Sequence, residues 1–280
     1  MRWLTCLLAA VAGGADFVGS DLLDGPVAAG LAAVAGPDSA DFAGTLPGRR
    51  AFVEGRVAAF AGLRRAGEPA PEPKGAAAVE FHLASVVIVV ATHDSNRVER
   101  LTLENLADAF AKDARSPARN WNDLQPDARS ELLTPAVCSP PGTLVLEAFQ
   151  GLVLEGQPFR PDVRLRVEPD LAADLLAARA GSLILLPRLP AGRARVLPIA
   201  DGRPGRSTTA YRPDEANVHN GDYPLQLPLI LNVRSDRLAS LRPGLRWLFS
   251  DEAAAILVRQ GLTPAPAAAR ARFVQRLDTR

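Results

Sequence analysis

The chain has 280 residues, 48% of them hydrophobic, with a formal net charge of +1 at pH 7. That length allows a large core and favours two domains over one, and the hydrophobic content excludes disorder for the bulk of the chain. The near-zero charge argues against a nucleic-acid partner, which a basic face would announce.

The first residues, MRWLTCLLAAVAGGA, carry the parts of an export signal. Arg2 supplies the leading charge, Leu4 to Val11 a short apolar run, and Ala10 to Ala12 an A-x-A cleavage site. The same run could be a buried first element; the fresh strand that follows it favours export. On this reading residues 1–12 are a signal peptide and the protein is periplasmic or secreted. Cys138 is then the only thiol of the mature chain, so no intramolecular disulfide forms.

Asp16 to Gly19 reads as a strand, followed by an apolar helical pattern at Leu23, Val27, Leu31 and Val34. Pro26 belongs to the first turn of that helix, which puts its cap between Ser20 and Asp24. Ala40 to Gly44 suits a second strand, Leu46 to Gly55 a helix and Arg56 to Ala61 a third strand. A Pro/Ala linker without periodicity runs from Ala66 to Ala77. The β-branched run SVVIVVA, Ser85 to Ala91, predicts a strand buried on both faces of a parallel sheet.

Thr102 is a natural cap for a helix with Leu103, Leu106, Ala107 and Phe110 on one face. Thr143 to Leu154 is a further helix with Val145, Phe149 and Leu152 as its buried stripe. Ser182 to Leu186 is a buried strand, and Asp201 to Tyr223 a long polar loop. Pro224 to Val233 returns to strand, with its prolines near the start, where an edge tolerates them. Ser250 caps a helix that stops at Gly261. Strands alternating with helices imply an α/β fold with mainly parallel sheets.

Catalytic signals are poor. The sequence has no Walker loop, GxGxxG, GxSxG or HExxH motif. His82, His93 and His219 lack metal-ligand spacing; His82 reads as a satisfied strand histidine, His93 and His219 as solvent-exposed loop residues. Cys138 has no activating base nearby in sequence and reads as a small buried side chain at a strand end. The loop GRPGRSTTA, Gly202 to Ala210, could grip an anion through Arg203 and Arg206, or simply be a solvated loop. The expectation is therefore no enzyme, no cofactor and no metal.

Four segments in a fixed order carry a resemblance. LTLENLADAFAKDARSPARNWNDL (Leu101 to Leu124), GSLILLP (Gly181 to Pro187), GDYPLQLPLILNV (Gly221 to Val233) and WLFSDEAAAILVRQGLTPAP (Trp247 to Pro266) resemble phosphate-type periplasmic solute-binding proteins of ABC transporters. GSDLLDGP at Gly19 to Pro26 and EGRV at Glu54 to Val57 match more loosely. The resemblance implies two α/β lobes joined by crossing strands and closing on a ligand by a hinge. It also implies a small anion such as phosphate held by helix N-termini, hydroxyls, an Arg and an Asp, and delivery to an ABC permease in the inner membrane by a monomeric receptor.

Carried onto this chain, the ligand residues are Ser20 and Asp21 in the first loop, Thr45 as a second hydroxyl, and Gly142 and Thr143 in the turn CSPPGTL. That turn departs from the family pattern: Pro141 stands at a serine position, Leu144 and Val137 at arginine positions, and Leu63 near the position of an aspartate. Arg49, Arg64, Arg203 and Arg206 could rebuild the charge from new directions. The division expected is residues 13–83 plus 197–280 for the first lobe and 84–196 for the second, with the chain leaving near His82 to Ser85 and returning between Leu197 and Asn232. The alternative to a transport receptor is a non-transport descendant of the fold, a sensor or scaffold that no longer binds phosphate.

Overall fold

In a computed structural model describing residues 15–65, 67–126, 128, 130–140, 143–190, 192, 194–203 and 205–278, strands and helices alternate along the chain. The first part holds β1 (Phe17–Gly19), α1 (Pro26–Ala35), β2 (Ala40–Asp41), α2 (Thr45–Val53), β3 (Ala59–Leu63), β4 (Ala78–Val87) and β5 (Val89–Thr92). The middle holds β6 (Leu101–Thr102), α3 (Leu103–Phe110), α4 (Trp121–Leu124), β7 (Thr134–Cys138), α5 (Val145–Leu152), β8 (Arg164–Val167), α6 (Pro169–Ala178) and β9 (Ser182–Leu186). The last part holds β10 (Arg195–Val196), β11 (Ile199–Ala200), α7 (Glu215–Asn220), β12 (Gln226–Arg234), α8 (Arg242–Leu248), α9 (Asp251–Arg259), β13 (Thr263–Pro264) and α10 (Ala267–Asp278). The expected signal peptide, residues 1–12, lies outside the described residues.

Two lobes result. A six-stranded sheet ordered β13-β4-β12-β3-β1-β2 centres the first, and a five-stranded sheet ordered β10-β5-β9-β7-β8 centres the second. Both sheets are mixed, where mainly parallel sheets were expected. β1, β2 and β3 pair parallel, as do β7, β8 and β9. The antiparallel pairs involve β4, β5 and β12, the strands on either side of the lobe crossing, together with the short edge strands β13 and β10.

The run SVVIVVA therefore differs from its expected place. It is not one strand of a parallel sheet but the end of β4 and most of β5, interrupted at Ile88 where the chain passes from one sheet to the other. Its two-sided burial comes from that crossing. Ile88 is pinned there: its N–H donates to Leu225 O at 2.9 Å, and the fully buried Tyr223 hydroxyl donates to its carbonyl at 2.6 Å. Burial pushes the Tyr223 phenol well above its usual range, so the hydroxyl stays a donor. Sheet membership thus changes at Ile88 and again ahead of Gln226. Ala84–Val87 pair with β12, and Ile199–Ala200 pair with β6, both across the expected limits 83/84 and 196/197.

β12 is central, not an edge. Pro228 pairs with Ser85 of β4 and lies just beyond the last β3 pair, Leu229 with Leu63, where its carbonyl accepts from Arg64 N at 3.0 Å. Local signals elsewhere act as their chemistry suggests. Thr102 Oγ1 accepts from Asn105 N at 3.1 Å while Asn105 Oδ1 accepts from Thr102 N at 3.0 Å, a reciprocal cap for α3. Ser250 Oγ accepts from Ala253 N at 3.1 Å and opens α9. Phe110, Phe149 and Phe159 cluster with centroids 5.1–6.5 Å apart in the second lobe. Phe81, Phe249 and Phe273, 4.1–6.2 Å apart, fasten α10 to the first sheet.

Gly30 lies in the middle of α1, which packs on α8 so closely that a Cβ there would fall inside the Trp247 ring. Alanine at a helix-interior glycine normally stabilises by about 1 kcal/mol. Overpacking costs about 1–3 kcal/mol and works against it. Gly30→Ala is expected to lower the urea midpoint; a raised midpoint would mean that α1 and α8 separate freely.

Candidate functional site

A cavity of about 950 Å³ lies between the lobes. From the first lobe it is lined by Asp21 and Leu22, which follow β1, and by Arg259, Gln260 and Gly261 at the end of α9. The second lobe contributes Cys138, Pro140, Thr143 and Leu144 between β7 and α5. It also contributes the start of α6 at Pro169 and Asp170, and the segment after β9 containing Arg188 and Leu189. These loops leave the C-terminal ends of β1, β7 and β9, where α/β sheets place ligands.

The first-lobe loop is shaped by close packing. Gly19 adopts φ +146, and any Cβ there would strike the Ala61 backbone; a Cβ on Gly48 of α2 would lie 2.9 Å from Gly19 itself. The chain then turns at Ser20, which is buried and caps a short 3-10 turn, Asp21–Leu23, by accepting from Leu22 N at 3.4 Å. Asp21 projects into the cavity lining and Ser20 does not. Thr45, the first residue of α2, is half-buried and does not line the cavity. Gly44 N donates to Gly19 O at 2.9 Å, so the α2 start nonetheless sits beside the β1 end.

In the second lobe, Thr143 lines the cavity, while Gly142 and Pro141 lie outside the described residues. The Thr143 hydroxyl donates to Pro140 O at 2.8 Å and lies 3.4 Å from Ser139 Oγ. Its proton is therefore committed within the turn. α5 begins after Leu144 without a side-chain cap, so its first amides keep their donor capacity. Leu144 presents an apolar surface there, and Val137 is fully buried in β7, paired with Leu185. Leu63 pairs with Leu229 at the end of β3 and is not part of the cavity.

The four arginines considered as replacements are placed elsewhere. Arg49 pairs with Glu68 at 3.0 Å, Arg64 with Glu80, and Arg203 with Asp201 at 2.5 Å. Arg206 is exposed in the same loop as Arg203, and none of the four lines the cavity. Arg203 instead borders a smaller hollow of about 630 Å³ in the second lobe, beside Asp108, Arg115 and Glu155.

Arg188 and Arg259 are the cations of the cleft, and neither has an ion pair or hydrogen bond among the described residues. Both are absent from the sequence-level expectation. Arg259, one turn from a Gly stop, reads as a dipole-complementing helix terminus. Arg188 could have been found, because it directly follows a buried strand whose C-terminal end faces the ligand side. Gln260 is held by its Nε2 donating to Asp24 O at 3.1 Å, and its Oε1 is buried without a partner among the described residues.

Cys138 closes the floor at the end of β7, 1% exposed. Burial pushes its thiol up, Glu168 adds to that, and Arg188 offsets part of it. The group is a protonated, small hydrophobe rather than a nucleophile. His82 and His219, expected to be independent, stack with centroids 4.9 Å apart and planes at 5°. His219 belongs to α7 and is half-buried rather than a free loop residue; His93 is likewise held, by Ser95 and Ala177 O. Among the described residues no group of three or more His, Cys, Asp or Glu is placed to hold a metal, and no helix is long and apolar enough to cross a membrane.

No protein-family model and no curated protein matches the sequence. Solved structures do match. A possible phosphate binding protein from Planctomyces limnophilus superposes with TM-score 0.69 at 16% identity, covering 95% of this chain and 98% of that one. PstS from Borrelia burgdorferi gives 0.65 at 14%, covering 90% and 98%. An ABC-type phosphate transport receptor from Vibrio cholerae gives 0.56 at 15%, covering 89% and 99%. At such identities the likeness is one of fold: the chain has the two-lobed α/β fold seen in these phosphate-binding proteins.

Proposed function

We propose that this chain is an extracytoplasmic solute-binding protein that delivers a small solute to an ABC permease, acting as a monomer, with a phosphate cradle that has degenerated. The interlobe cavity carries the reading: loops from both lobes line it, so a ligand there would be gripped when the lobes approach. Asp21 and Thr143 would belong to this site directly, Ser20 and Thr45 as supports of the first-lobe loop, and Gly142 through the turn it shares with Thr143. The lobes would move as the units defined by the two sheets, hinged at Ile88 and ahead of Gln226. Export would remove residues 1–12, and mass spectrometry of secreted product should give a chain starting at Gly13. A full-length cytoplasmic product would remove the transport role.

Phosphate should bind weakly. A hydrogen bond to a charged group contributes about 1.5–3 kcal/mol, so Leu144 and Val137 in place of charge are worth orders of magnitude in affinity. A ligand at a hundred times its dissociation constant adds about 2.7 kcal/mol of stability. Each such kcal/mol moves Tm by roughly 2–4 °C in a chain of this size. Millimolar phosphate should therefore leave the melting curve unchanged, and micromolar affinity by calorimetry would overturn the degenerate cradle. The receptor role itself requires that some small solute bind and compact the protein in small-angle scattering. If none of a broad panel does so, the sensor or scaffold alternative stands.

A further inference from the structure

We infer, resting on the receptor reading above, that the cleft takes a zwitterionic organic solute with an apolar body, of the amino-acid class, in place of an inorganic anion. Four charged side chains line the cavity, and each lobe supplies one of each sign. The first lobe brings Asp21 and Arg259, the second Asp170 and Arg188. No ion pair engages any of the four among the described residues, so their charges are open to a ligand.

Charge balance suits a solute without net charge. Two carboxylates offset two guanidinium groups, so a dianion would depend for its compensation on the helix N-termini of the cleft. A solute with one ammonium and one acid group adds no net charge and gives both signs a partner. Its acid group suits the planar forks of Arg188 and Arg259, which match carboxylate geometry. Its ammonium suits the carboxylates of Asp21 and Asp170, one from each lobe.

Size and polarity agree. Small-molecule sites run to roughly 300–1,000 Å³ and are walled by apolar side chains with few polar groups. This cleft lies at the upper end, about 950 Å³, larger than a single tetrahedral oxyanion can fill. Leu22 from one lobe and Leu144, Leu176 and Leu186 from the other offer a dry surface for an aliphatic or aromatic body.

The test is calorimetry on the full chain with L-leucine, its deaminated acid isocaproate, its decarboxylated amine isoamylamine, the other apolar L-amino acids and inorganic phosphate. At least one amino acid should bind, and the matching acid and amine should each bind at least about tenfold more weakly. Arg188→Gln and Asp170→Asn, both at exposed positions, should each weaken that binding by about tenfold or more while circular dichroism stays unchanged. Isocaproate or phosphate binding as well as the best amino acid, or affinities indifferent to both substitutions, would overturn the assignment. Scattering separates the two levels. Compaction with phosphate or isocaproate alone leaves the receptor reading standing without this ligand class, whereas no compaction with any solute removes both.

Discussion

Replacing Arg270 by methionine is expected to destabilise the protein by about 3 kcal/mol. Arg270 lies in α10 and is buried, with 8% exposure. Its guanidinium donates to Ala265 O at 3.0 Å, to Ser250 O at 2.9 Å and to Phe249 O at 3.4 Å. These carbonyls lie where α8 ends, α9 begins and the chain leaves β13, so one side chain joins four elements. Methionine keeps the apolar stem but takes the donor from Ala265 O and Phe249 O, at about 1–3 kcal/mol each, while Ser250 O keeps Ala254 N at 3.1 Å. The bond to Asp251 at 2.8 Å contributes little, because that carboxylate is 94% exposed and screened by water. Asp251→Ala should therefore change stability by less than about 1 kcal/mol. In thermal melts, Arg270→Met should lower Tm by on the order of 10 °C. Equal effects from the two substitutions would show that Arg270 acts only as an ion-pair partner.

Arg270 also marks a limit of sequence reading. The segment AAARARFVQRLD has no clean apolar face, and its helix exists because Phe273 inserts between Phe81 and Phe249 while Arg270 meets backbone carbonyls. Those are tertiary causes, invisible to periodicity. Signals that are local in origin were legible: the Thr102 and Ser250 caps, the Pro26 start of α1, the buried strand Ser182–Leu186. The two-lobed fold was legible through ordered segments of resemblance. The crossing at Ile88 was not, since an unbroken β-branched run looks the same whether both faces meet helices or the strand passes between sheets. Pro228 misled for a related reason: proline excludes a ladder bond, but this central strand pairs with β3 only from Leu229 onward, so Pro228 has a neighbour on one side alone. Asp21 and Thr143, taken from their positions in resembling loops, line the interlobe cavity. Arg188 and Arg259 come together only when α9 of one lobe faces the β9 end of the other, a proximity that spans 71 residues of sequence without a local mark.

Acidification is expected to weaken the fold well above the pH at which carboxylates titrate, through His82. Burial is the main cause and the stacked His219 the second in holding the His82 imidazole down at about 4, from 6.5. The unfolded chain therefore takes up a proton near pH 6.5 that the folded chain refuses until about pH 4. Between these values the unfolded state binds more protons, so stability is complete above pH 6.5 and falls as pH drops toward 4. The full difference corresponds to about 3 kcal/mol. Carboxylates held low by arginine, such as Asp162 by Arg160 and Asp201 by Arg203, add their own losses only at lower pH. The location gives the effect a functional edge. His82 Nε2 lies 2.8 Å from Ser85 Oγ, Ser85 Oγ donates to Gln226 Oε1 at 3.0 Å, and Gln226 Nε2 donates to Val218 O at 2.7 Å. This chain of bonds ties β4 to β12 and α7 where β4 leaves the first lobe and β12 enters it, so charging His82 would load the crossing between the two sheets. Urea unfolding followed between pH 7.5 and 4.5 should show the decline. His82→Gln, which can still bond Ser85 but cannot titrate, should flatten it while costing about 1 kcal/mol at neutral pH. A variant with the same pH slope as the parent would place the proton-linked loss elsewhere and return His82 to the role of a neutral packing group.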